Sequence, residues 1–189
     1  MSIGTAVSSG VHAAWLLARG RADGLRLVEA DMAGAARSFW AAAICLPAFI
    51  CLRLIGWTAS GLPPHAAHVF ALDLVSYGVG WCGFAVLSHR LVGVMGLAER
   101  WPQFIAMWNW CNVVQYLLMV VFSIPGLLGA PALLDQVAQL FAIGWALWLE
   151  WFAFRLTLGI GVVAAAGLVA LDVAIGVLLA AASAAFVVG

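Results

Sequence analysis

The stretch "WPQFIAMWNWCNVVQYLLMVVFSIPGLLG", residues 101–129, is apolar through its middle except for three amides, Asn109, Asn112 and Gln115, set three residues apart. Lipid offers an amide no hydrogen-bond partner. Side chains of this type can therefore bond neighbouring helices, line a path for an ion or polar solute, or meet a partner subunit. Steps of three drift around a helix, so the set spans about 120° of its surface. Tyr116, four residues beyond Asn112, joins the same broad face. A stripe that wide can serve two neighbouring helices, and all three uses stay open on the residues alone.

Three charged residues also fall inside apolar runs: Arg53, Asp73 and Asp172. Each costs about 2.5–3.5 kcal/mol on insertion into a bilayer, so each needs a physical reason. Arg53 stands four residues before the end of its run, and Asp73 lies about 12 Å into the next at about 1.5 Å per residue. The two runs form a hairpin, so an Arg53–Asp73 ion pair would replace two separate burial penalties. A snorkelling Arg53 beside an Asp73 that keeps its proton, or a proton or ion site, are the other readings. Asp73, Ser76, Tyr77 and Gly80 share one helical face. A polar and small-residue face of that kind should turn towards other helices. Asp172 is followed one turn on by Gly176, and Asn112 is its candidate donor. Ala166, Ala170 and Ala174 make a separate small-residue stripe, expected at a helix contact.

Other candidates carry less chemistry. Glu150 and Arg155 are five apart, badly placed for mutual contact, and are expected to mark the near end of the fourth span. Arg155 has Trp151 one turn back, where a cation–π contact fits. His65 and His68 form an HxxH without further metal ligands at hand, so no metal is expected. Cys45, Cys51, Cys82 and Cys111 lie in hydrophobic runs without a CxxC, as small buried hydrophobes do. No nucleophile elbow, P-loop, GxGxxG or HExxH occurs, so neither an enzyme nor a cofactor is implied.

The elements that must position these residues follow from composition. The 189 residues are 66% hydrophobic and 8% charged, far below the roughly 25% charge of soluble domains. Mean hydropathy is +1.12. Zero net charge and the absence of a basic tail leave no footprint for nucleic acid. The expected fold is all-α, an integral membrane bundle of five transmembrane helices preceded by an amphipathic N-terminal helix. The spans are placed at about 39–57, 65–87, 104–127, 134–154 and within 161–188, giving a five-helix domain over 33–189. Residues 1–32 form the preceding segment. Val7, Val11, Ala14, Trp15 and Ala18 make an apolar face ahead of Arg19, Arg21 and Arg26, with breaks at Gly20 and Gly24. A helix lying on the membrane surface and one packed on the bundle both fit. The first 18 residues lack a basic n-region and no A-x-A site follows, so a cleaved signal peptide is not expected.

All eight basic residues are arginine. Arg19, Arg21, Arg26 and Arg37 precede the first span, Arg90 and Arg100 lie between the second and third, and Arg155 follows the fourth. The alternate loops have none. The positive-inside rule then predicts a cytoplasmic N-terminus and a periplasmic C-terminus in a bacterial inner membrane. Trp40, Trp101, Trp148 and Trp151 are expected as anchors at the cytoplasmic interface, and Trp57 at the outer one.

The stretches "LARGRADGLRLVEADMAGAARSFWAA", "WNWCNVVQ" and "WFAFRLTLGIGVVAAAGLVALD" resemble a family of small alphaproteobacterial five-span inner-membrane proteins. That family carries an FW pair at the first span, here Phe39 and Trp40, and an N-W-x-x-x-x-Q motif in the third, here Asn109, Trp110 and Gln115. The layout is also similar to that of Yip1-type proteins in topology. The family resemblance implies no known activity; the expected role is a non-enzymatic scaffold or accessory subunit of Yip1-like type, in contact with the lipid bilayer and with a membrane-protein partner or further copies of itself. The alternative is a small oligomeric transporter or channel using Asp73 or Asp172 as an ion or proton relay.

Overall fold

The computed structural model describes residues 3–188. Its helices are α1 (Ile3–Leu17), α2 (Met32–Ser38), α3 (Trp40–Ser60), α4 (Ala66–Val94), α5 (Trp101–Leu127), α6 (Ala132–Leu158) and α7 (Val162–Val188), and no strand occurs among the described residues. Five spans, the first running through α2 and α3 and the others through α4 to α7, are long and apolar enough to cross a membrane. The chain is therefore a multi-pass bundle of the expected class. α4 continues seven residues beyond the expected end at Leu87, through His89 and Arg90. A hydropathy run stops at charge, whereas the backbone ladder does not. At 29 residues, α4 is about 43 Å long against a hydrocarbon core of about 30 Å.

Alternation of direction places the starts of α3 and α5 and the ends of α4 and α6 on one side, together with Arg37, Arg90, Arg100 and Arg155. The bundle is tightest on this arginine-bearing side. Residues 104–111 of α5 are buried without interruption. Phe84 of α4 stacks on Trp108 at 4.4 Å between ring centroids, and Phe104 meets Phe154 of α6 at 4.7 Å. α6 ends at Gly159, whose φ of 66° suits a residue without a Cβ. There Arg100 donates from Nη1 to the Leu158 carbonyl at 2.7 Å, satisfying an orphan helix end. Trp101, expected as an interfacial anchor, is instead buried and donates to Ser88 Oγ at 3.2 Å. The lengthened α4 brings Ser88 within its reach.

α1 packs on the first half of α5, and its Ala13, Ala14 and Leu17 join the same core as α4, α5 and α6. Its buried row is Ala6, Gly10, Ala13, Ala14 and Leu17, and of the expected face Val7, Val11, Ala14 and Ala18 join or pack against the core. Trp15 lies outside that row, with the Arg19 guanidinium 4.6 Å from its ring centre. Small residues win this face because the Trp110 indole sits directly on Gly10. A Cβ there would lie 2.2 Å from the ring. The small-residue stripe expected on α7 is displaced. Ala166, Ala170 and Ala174 are exposed, and the inward row is Ala165, Leu168 and Val169, continued by Asp172. α7 still lies close to α4 and α6, with the small Ala165 fully buried on its inward row.

Replacing Gly10 by Ala should lower the thermal midpoint of the detergent-purified protein, since overpacking a filled site costs about 1–3 kcal/mol. Gly4→Ala, where a Cβ meets nothing, is the control and should melt like wild type. Equal midpoints for all three proteins would remove the Gly10–Trp110 contact as a constraint.

Candidate functional site

Away from the arginine-bearing side, the packing opens. α3 buries only Ala41 and Cys45, both near its start, and its backbone barely approaches that of α4. Long side chains bridge the interval instead. Arg53 donates from Nε to Asp73 Oδ2 at 2.8 Å, and from Nη2 to the other carboxylate oxygen. Two parallel bonds make this a fork-type pair. Asp73 is 7% exposed, while the Arg53 side chain is nearly half exposed. Deeper in, Tyr77 donates to the Ala42 carbonyl at 2.6 Å, in the turn preceding Pro47.

Behind the ion pair lies a cleft of about 600 Å³ between α3, α4, α5 and α7. It reaches Pro63 in the α3–α4 connection at one end, and Trp108, Asn112 and Asp172 at the other. The α4 face expected from the spacing, Asp73, Ser76, Tyr77 and Gly80, lines it. Ser76 also bonds Ser183 of α7, oxygen to oxygen 2.8 Å, closing one flank. A second cavity of about 230 Å³ lies between α5, α6 and α7. Asn112, Tyr116 and Asp172 line both spaces, so the two share a wall.

The three amides of α5 separate by role. Asn109 is fully buried and donates to Ser38 Oγ at 2.7 Å, tying α5 to the end of α2. Gln115 donates to the Ala146 carbonyl of α6 at 2.8 Å. Asn112 bonds only within its own helix, to the Trp108 carbonyl at 3.0 Å, and faces the cavities. It is therefore not the donor to Asp172. The neighbours of Asp172 are the Trp108 indole and the Glu150 carboxyl. Glu150 does not mark a helix end: it is 4% exposed and lines the smaller cavity. Only its position, eight residues short of the end of α6, hinted at such depth. Arg155 does stack on Trp151, 4.8 Å from the ring centre.

These groups form two distinct electrostatic settings. Asp73 has its countercharge in Arg53. Among the described residues no basic side chain pairs with Glu150 or Asp172, and Glu150 Oε1 is buried without a hydrogen-bond partner. Comparison with protein families, with curated proteins and with solved structures found no match.

Removing one member of the Arg53–Asp73 pair leaves a buried acceptor unmet, at a cost of about 1–3 kcal/mol. Arg53→Gln should therefore melt earlier than the Arg53→Gln/Asp73→Asn double variant. Additive losses in this double-mutant cycle would show that the pair contributes nothing through mutual contact.

Proposed function

We propose that this chain is a carrier or channel of the bacterial inner membrane, non-enzymatic, which admits a small ion or polar solute through the cleft. One observation carries the reading: a cavity of about 600 Å³ leads from the α3–α4 connection to an intramembrane carboxyl, Asp172, that has no countercharge. Ionisable groups are retained in spans chiefly where they serve a pathway or a relay. In this reading Asp73 is the fixed partner of Arg53 at the mouth, and Asp172 is the group met by what enters. An N-terminus in the cytoplasm and a periplasmic mouth are supported by the arginines gathered opposite the cleft opening.

A second reading, an accessory or scaffold subunit of Yip1-like type, is favoured by the way Asn109, Gln115 and Tyr77 spend their donors on neighbouring helices. Such bonds stiffen a bundle more than they stabilise it, at about 0.6 kcal/mol each on average.

The purified protein in liposomes should conduct protons or alkali cations, and Asp172→Asn should reduce the flux to that of protein-free vesicles while remaining monodisperse. Wild-type flux in the variant, or none from wild type, would overturn the carrier reading. Native mass spectrometry from the source membrane would then decide for the accessory-subunit reading by a stoichiometric protein partner.

A further inference from the structure

Glu150 of α6 and Asp172 of α7 are neighbours in the lining of the smaller cavity. While one of the two keeps its proton, its O–H can donate to the other; once that proton leaves, two negative charges stand together and a cation must take its place. No arginine, lysine or histidine lines this space. Arg155, five residues past Glu150 on α6, is turned to Trp151. The other titratable groups facing the pair are neutral acids: Cys111 of α5 beside Glu150, and Tyr116 of α5 beside Asp172, with Cys45 of α3 behind Tyr116. On α4, Asp73 is engaged by Arg53. A buried carboxylate without a countercharge is held neutral by a proton, and a cation from outside is the other charge that can stand in that proton's place.

The cavity is built to receive one. Five side chains from three helices bring oxygen to it: Asn112, Gln115, Tyr116, Glu150 and Asp172. The nitrogens of Asn112 and Gln115 donate to the Trp108 and Ala146 carbonyls, which leaves both amide oxygens free as ligands. Glu150 Oε1 is buried without a partner. Carboxylate and carbonyl oxygens suit hard cations. Among the described residues no group of three acidic, histidine or cysteine side chains converges, and the two carboxyls here can give up one proton for one positive charge. About 230 Å³ leaves room for an ion with several waters, each taking about 30 Å³.

We propose that Glu150 and Asp172 bind one alkali cation, of the Na⁺ or K⁺ class, in exchange for a proton. The cation enters as one carboxyl O–H bond breaks and its proton leaves to water, so the net charge of the site is unchanged. The exchange deepens the carrier reading and rests on it for access: ions would arrive through the wider cleft, past the wall formed by Asn112, Tyr116 and Asp172.

The test is direct. NaCl, KCl and N-methylglucamine chloride are added in turn to the detergent-purified full chain in weak buffer, with a pH-sensitive dye. Sodium or potassium should release protons saturably, approaching one per chain. N-methylglucamine, too large to be ringed by those oxygens, should release none. Glu150→Gln and Asp172→Asn should each abolish the release while eluting as wild type does on gel filtration. Absence of saturable release from wild type overturns the proposal whether or not the variants fold, as does wild-type release from either folded variant. Release without liposome flux would keep the site and remove the carrier. Flux without release would do the reverse.

Discussion

Lipid tails are as apolar as leucine, so helices in a bilayer gain nothing by hiding hydrophobic surface from them, and association rests on close packing and hydrogen bonds. In this bundle that constraint is met at one place, the first half of α5. Phe104 to Cys111 are enclosed on all sides, by Gly10 and Leu17 of α1, Ser38 of α2, Phe84 of α4 and Phe154 of α6. The aromatic rings interlock there. The remaining helices take their positions from this contact and diverge from it, which is why the same chain can be tight at one end and hollow at the other.

The hollow end is where polar groups collect, and each is provided for by a different device. Asp73 has a guanidinium, Tyr77 a carbonyl beside a proline, Ser76 another serine, and Gln115 a carbonyl on α6. These are local solutions that close on themselves. Glu150, Asp172 and Trp108 differ because they lie together with no basic side chain lining their space, and Glu150 Oε1 stays without a partner. A polar network left incomplete in a medium without water is the more expensive state. Its retention at the meeting point of two cavities sets it apart from the bonds that merely hold helices together.

The spans were legible because 18 or more apolar residues in sequence leave few alternatives. The Arg53–Asp73 pair was legible because both residues sit at matching depth in a hairpin. The α4 face lining the cleft was legible from helical spacing alone. What escaped depended on which helices become neighbours. Glu150 looked terminal because charge and aromatic residues follow it, and its partner Asp172 lies on another helix 22 positions on. Trp101 carried the composition of an interfacial anchor, yet the overlong α4 covers it. On α1 the expected face was turned inward except for Trp15, and Gly10 was added to it by the ring pressed upon it. On α7 the alanine stripe faced outward, because the row of Ala165, Leu168 and Val169 was the one turned to the bundle.

α3 is clamped at its base, where Ala41 and Cys45 are buried, and held off α4 further along by the lengths of Phe49 and Tyr77, Arg53 and Asp73, and Trp57 and Phe70. It is in effect a cantilever with struts. A small rotation about its root, at the turn that Pro47 has already weakened, displaces the mouth most and the floor hardly at all. Tyr77, one of those struts, also touches Tyr116, so the aperture and the chemistry beneath it meet at a single pair of rings.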